Sequence, residues 1–158
     1  MWMRTLAATA ALAAACTSQS GPPTAADVGD TQPSDVVVRV AASQPTVGPT
    51  ETVRITVTVT NTDDARRVIE ASSGCFTDFE LLDGSGNVVT RSLQVCPAVM
   101  ARRELAPGES FSETHVWRRG MRGMPVVPAG SYQLRGMLLA RTNTVTSNAV
   151  DVVVTPGD

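Results

Sequence analysis

A chain of 158 residues has room for one domain and an appendage, and 42% hydrophobic content with only 4% aromatic residues implies an aliphatic, valine-heavy core. Its 15 acidic and 13 basic residues leave a formal charge of -2 without a basic stripe, which argues against nucleic acid as a partner. All 13 cations are arginine, a bias that genomic base composition alone produces.

Residues 1–15, "MWMRTLAATAALAAA", place Arg4 ahead of an apolar run of small residues. This is the pattern of a secretory signal peptide, and it is too short to span a bilayer. Cys16 follows Ala13-Ala14-Ala15 directly, as in bacterial lipoprotein signals, where the thiol receives a diacylglycerol. The leucine usual three places before that cysteine is Ala13 here, with Leu12 one residue early, and three alanines also suit the ordinary signal peptidase. The segment therefore predicts a cell-envelope protein held to the membrane through lipid on Cys16, with a secreted or periplasmic soluble form as the alternative. Residues 16–34, rich in Gly, Pro, Ser and Thr and lacking an apolar period, read as a disordered tether. Such a tether spans about 23 Å.

Residues 35–158 form the predicted domain. "VVVRV" at 36–40 opens a first strand. In "ETVRITVTVTN", Val53, Ile55, Val57 and Val59 alternate with Arg54, Thr56, Thr58 and Thr60, the signature of a half-buried strand. "NTDD" at 61–64 supplies a turn and "RRVIEA" a short strand. "FTDFELLD" puts Phe79 and Leu81 on one face and Asp78 and Glu80 on the other. "DGSGN" at 83–87 makes a hairpin turn, because Gly and Asn accept positive φ cheaply, and "VVTRS" returns.

Cys75 and Cys96 bracket that hairpin. Three cysteines are odd for an exported chain; with Cys16 lipidated, the remaining two pair. Closing a loop of this length stabilises a fold by roughly 3 kcal/mol on the chain-entropy model. Metal ligation and a reactive thiol are the competing readings, but no CxxC or His spacing accompanies the pair to make a zinc site. The bridge is expected to clamp the open end of the hairpin and not to cross the core.

Farther along, "LAPGES" at 105–110 is a Pro-Gly turn feeding the strand "FSETHVW". Pro128 and Gly130 mark a turn before Tyr132, Leu134 and Leu138, and "NAVDVVV" closes the domain with Val150, Val152 and Val154 in alternation. Seven to nine short strands without a helical period predict an all-β, immunoglobulin-like antiparallel sandwich.

Chemistry is sparse. His115, the only histidine, shares a strand face with Glu113 and Trp117, but no nucleophile is tied to it by spacing. No catalytic residue and no cofactor are assigned, and the chain reads as a non-enzyme. His115 with Met121 and Met124 has the ligand types that suit cuprous ion; packing methionines and turn-forming glycines explain the same residues, so no metal site is assigned. Arg118, Arg119 and Arg122 beside Trp117 form a basic cluster in a Gly- and Pro-rich loop, the candidate partner-binding surface.

The order of these segments resembles the intracellular proteinase inhibitor (BsuPI-type) domain. That family shows a strand ending in Asn, an aromatic-Asp-Phe segment before an Asp-Gly turn, a Leu-x-Pro-Gly-Glu-Ser turn leading to a Trp, and a Pro-x-Gly-x-Tyr strand. Asn61, Asp78, Phe79, Asp83, Pro107, Gly108, Glu109, Trp117, Pro128, Gly130 and Tyr132 occupy those places. The resemblance covers roughly residues 35–155. It implies an immunoglobulin-like sandwich that binds a protein partner and inhibits serine proteases of subtilisin type. The candidate inhibitory loops are 118–125 and the hairpin tip at 84–87. A non-inhibitory structural or adaptor module of the envelope is the alternative.

Overall fold

The computed structural model describes residues 29–30, 35–92, 94–120 and 126–157. Their regular structure is all strand: β1 (Gly29–Asp30), β2 (Val36–Ala42), β3 (Thr46–Val47), β4 (Thr52–Asn61), β5 (Arg67–Ala71), β6 (Thr77–Leu82), β7 (Val88–Arg91), β8 (Ala101–Leu105), β9 (Ser110–Arg118), β10 (Gly130–Leu139), β11 (Thr144–Thr146) and β12 (Val150–Val154). Three sheets result, in the orders β2-β4-β9, β3-β12-β10-β6-β7 with β11 added on β10, and β1-β5-β8. Pairing is antiparallel except for the two-residue contacts of β3 with β12 and of β1 with β5. The first two sheets face one another, making the immunoglobulin-like sandwich that the strand pattern predicts.

The strand β4 shows why the sequence takes this form. Val53, Ile55, Val57 and Val59 are buried, whereas Thr56, Thr58 and Thr60 point outward. Each outward threonine meets the hydroxyl directly opposite on β9: Thr114 at 3.3 Å, Ser112 at 2.8 Å and Ser110 at 2.8 Å. One face thus supplies hydrophobic burial and the other a cross-strand hydroxyl ladder, and both fix a single register. Gly136 of β10 marks a close approach of the two sheets. A Cβ there would lie 3.1 Å from side-chain carbons of both Val40 and Val57.

The third sheet meets aromatic residues of the sandwich through Arg103. Phe76 and Phe111 meet edge to face at 5.7 Å, and the Arg103 guanidinium of β8 lies 4.4 Å from the centre of the Phe111 ring. This is cation–π geometry. At the opposite edge of β5, Arg141 donates its backbone N–H to the Glu70 carbonyl at 2.7 Å.

Two motif residues hold turns. Asn61 is fully buried, and its Nδ2 donates to the carbonyls of Ala65 at 2.8 Å, Leu105 at 3.1 Å and Ala106 at 3.1 Å. Its own backbone pairs with Gly108 and Glu109. One side chain therefore joins the end of β4 to the "LAPGES" turn, where Gly108 takes φ of 74°. Asp83 caps the β6–β7 hairpin by accepting the N–H groups of Ser85 at 2.8 Å and Asn87 at 2.9 Å. Those bonds hold its carboxyl below the usual carboxylate range.

Candidate partner-binding surface

Thr77, Glu113 and His115 are engaged with one another between β6 and β9. Glu113, His115 and Trp117 do share the inward face of β9. Glu113 and His115 meet through Thr77 of β6: the Thr77 backbone N–H and hydroxyl donate to Glu113 Oε2 at 2.9 and 2.8 Å, and Thr77 Oγ1 lies 2.9 Å from His115 Nε2. Because the threonine proton goes to the carboxylate, His115 Nε2 carries the proton that bridges to Thr77 Oγ1. Burial pushes the imidazole below its ordinary value, against the opposing pull of Asp78 and Glu113. His115 is only 5% exposed and packs edge-on to Phe79 with ring centres 5.8 Å apart. This arrangement supports the packing of β6 on β9. Met121 and Met124 lie outside the described residues. Among the described residues no group of three or more His, Cys, Asp or Glu could hold a metal ion.

A second buried centre went unread in the sequence. Glu80 on the other face of β6 is 2% exposed, and its carboxylate accepts from Arg135 Nε at 2.7 Å and lies 3.3 Å from Arg91 Nη2. The strand registers place all three side by side, Glu80 opposite Arg135 of β10 and opposite Arg91 of β7. The signal was a carboxylate in a hydrophobic strand with arginines on two later strands, which only the register brings together.

The structure divides the basic cluster. Trp117 is 2% exposed and belongs to the core, so it is withdrawn from the partner-binding surface. Arg119 is spent on backbone: its Nε donates to the Val127 carbonyl at 2.6 Å and Nη1 to Thr155 at 2.8 Å, tying the end of β9 to the C-terminal segment. Arg118 faces solvent. Arg122 lies outside the described residues, as do residues 121–125 of the first candidate loop. The hairpin tip 84–87 is exposed and described in full.

The disulfide joins Cys75 to Cys96 with Cα atoms 5.4 Å apart. Cys75 precedes β6 and Cys96 follows β7, so the bridge closes the open end of that hairpin. Beside it Gly74 donates its N–H to the Pro97 carbonyl at 2.8 Å. The segment from Gln94 to Met100 runs over this clamp toward β8 and is largely exposed.

Comparison with known proteins settles the family. The model of the intracellular proteinase inhibitor family matches residues 40–143, about two thirds of the chain. The chain belongs to the BsuPI family of intracellular proteinase inhibitors. The motif residues that suggested it are turn and core positions of this BsuPI fold: Asn61, Asp83 and Gly108 in turns, Phe79, Trp117 and Tyr132 buried. The membership also implies a protein partner such as a protease, and fits a non-enzyme. It corrects the expected setting. The family is described as intracellular, which points to the cytoplasm and overturns the lipid-anchored envelope placement drawn from residues 1–16. Cys16 and the leader themselves lie outside the described residues.

No curated protein matches the chain. Among solved structures it is similar to the sporulation control protein of Bacillus subtilis, at 12% identity and a TM-score of 0.49, over 77% of this chain and 50% of that one. The chain thus spans about half the length of that protein. It is also similar to a CARDB domain from Pyrococcus furiosus, at 18% identity and a TM-score of 0.43, over 77% of this chain and 88% of that one. A β-glucosidase of Erythrobacter marinus matches at 14% identity and a TM-score of 0.43, over 76% of this chain and 15% of that one.

Proposed function

We propose that this chain inhibits serine proteases of subtilisin type by occupying them with a rigid exposed loop, without catalysing a reaction itself. The family match over residues 40–143 carries the reading. The interior chemistry is consistent with it: His115 is bridged to Thr77 and Glu80 is paired with arginine, both as packing elements. A stapled sandwich offers what an inhibitor needs, a loop that keeps its shape when bound and so loses little entropy on binding.

Titrating a subtilisin-type protease with the purified full chain tests this. The expected result is loss of activity in proportion to inhibitor added, with the inhibitor recovered intact. Unchanged protease activity at a large excess of chain, or rapid degradation of the chain, would overturn the proposal.

A further inference from the structure

Between β7 and β8, "QVCPAVM" (Gln94–Met100) belongs to no strand and exposes three large apolar side chains, Val95, Val99 and Met100. Val95 is 93% exposed, the most exposed of the large hydrophobic residues described. Single exposed valines need no explanation, but three within one projecting loop mark an interaction surface.

The loop is fastened so that it cannot fold back and hide them. Cys96 is bonded to the buried Cys75. The Gly74 N–H holds the Pro97 carbonyl at 2.8 Å, and the Pro97 ring occupies the space that Gly74 leaves open, 3.0 Å from where a Cβ would stand. Gln94 Nε2 reaches Cys75 Sγ at 2.9 Å. Pro97 also restricts Cys96 to extended backbone. Val95 is thus exposed between two restrained neighbours, Gln94 and Cys96.

We infer that Gln94–Met100 is the loop that enters the protease, with Val95 filling the specificity pocket of a serine protease whose pocket is apolar. This deepens the inhibitor reading and rests on it. The pocket chemistry follows from the loop, since Ser92–Met100 contains no charged residue and offers nothing to an acidic, arginine-seeking pocket. The disulfide adds a further consequence. Hydrolysis of the Val95–Cys96 peptide bond takes up one water and leaves a Val95 carboxylate and a Cys96 amine. Cys75 lies on one product and Cys96 on the other, so the bridge still joins the two pieces beside the cut.

The test compares inhibition constants of the full chain, Val95→Asp, Val95→Phe and Val116→Asp against a subtilisin-type protease with an apolar pocket. Val116 is an exposed valine on β9, remote in sequence from the loop, and serves as the control. Val95→Asp is expected to weaken inhibition by about 100-fold or more, because an unpaired carboxylate cannot enter an apolar pocket cheaply. Val95→Phe keeps inhibition within about tenfold, and Val116→Asp leaves it unchanged, as surface substitutions away from a contact do. Long incubation is expected to yield fragments that separate only after reduction, with Cys96 as a new amino terminus. A wild-type chain that inhibits as well as Val95→Asp does overturns the loop assignment alone. A wild-type chain that does not inhibit overturns the inhibitor reading, and the loop assignment with it.

Discussion

Glu80 and its two arginines make a residue-scale prediction with a sign. The carboxylate is buried, whereas the Arg135 and Arg91 side chains are 36% and 60% exposed. Removing the carboxylate lets both guanidinium groups turn to water; removing Arg135 leaves the buried charge with only the longer contact to the more exposed Arg91. Arg135→Ala should therefore cost about 3 kcal/mol, and Glu80→Gln about 1 kcal/mol, in urea unfolding. Equal losses would mean that the carboxylate reaches solvent. His115 makes a second prediction. Its folded pKa lies below the ordinary value of 6.5 because of burial, so the unfolded chain binds the proton more readily. Its stability contribution is complete above about pH 6.5 and is lost as pH falls toward the folded value. Unfolding free energy measured against pH should slope upward through that window, and His115→Gln should flatten the slope. An unchanged slope would assign it to other groups.

At the scale of elements, the turns carry more than their length suggests. Asn61 serves three carbonyls from one amide, so Asn61→Ala leaves buried acceptors unpaired and should cost about 2–4 kcal/mol in chemical denaturation. A loss under about 0.5 kcal/mol would mean that water replaces the amide. Cys96→Ser should cost about 3 kcal/mol through the released loop entropy, and reducing agent should lower the wild-type melting temperature but not that of the variant. The long strands were legible in the sequence because alternation in "TVRITVTVTN" follows directly from one buried face. The short ones were not. β8 reads "ARREL" with its arginines and glutamate exposed, and among the described residues it pairs with β5 alone. Its existence is dictated by a partner strand, not by its own pattern. Trp117 was read with the arginines as part of the candidate loop surface; the register of β9 places it inward. The Gln94–Met100 loop was overlooked because nothing local distinguishes an exposed apolar run from a buried one. Its exposure follows from the clamp at Gly74 and Cys75, residues some twenty places earlier in the chain.

For the whole molecule, the fold and its use separate cleanly. The inward faces of β4, β6, β9 and β10 build an aliphatic core, and the buried polar groups at Asn61, Thr77, Glu80 and His115 bind one strand to the next. These four buried side chains are thereby committed to structure. The most direct test is binding of the full chain to a subtilisin-type protease, measured with the substrate cleft free and again with the cleft filled by a covalent peptidyl inhibitor. Occupation of the cleft by this chain predicts tight one-to-one binding to the free protease and none to the blocked one. Equal binding to both forms, or to neither, would contradict the account.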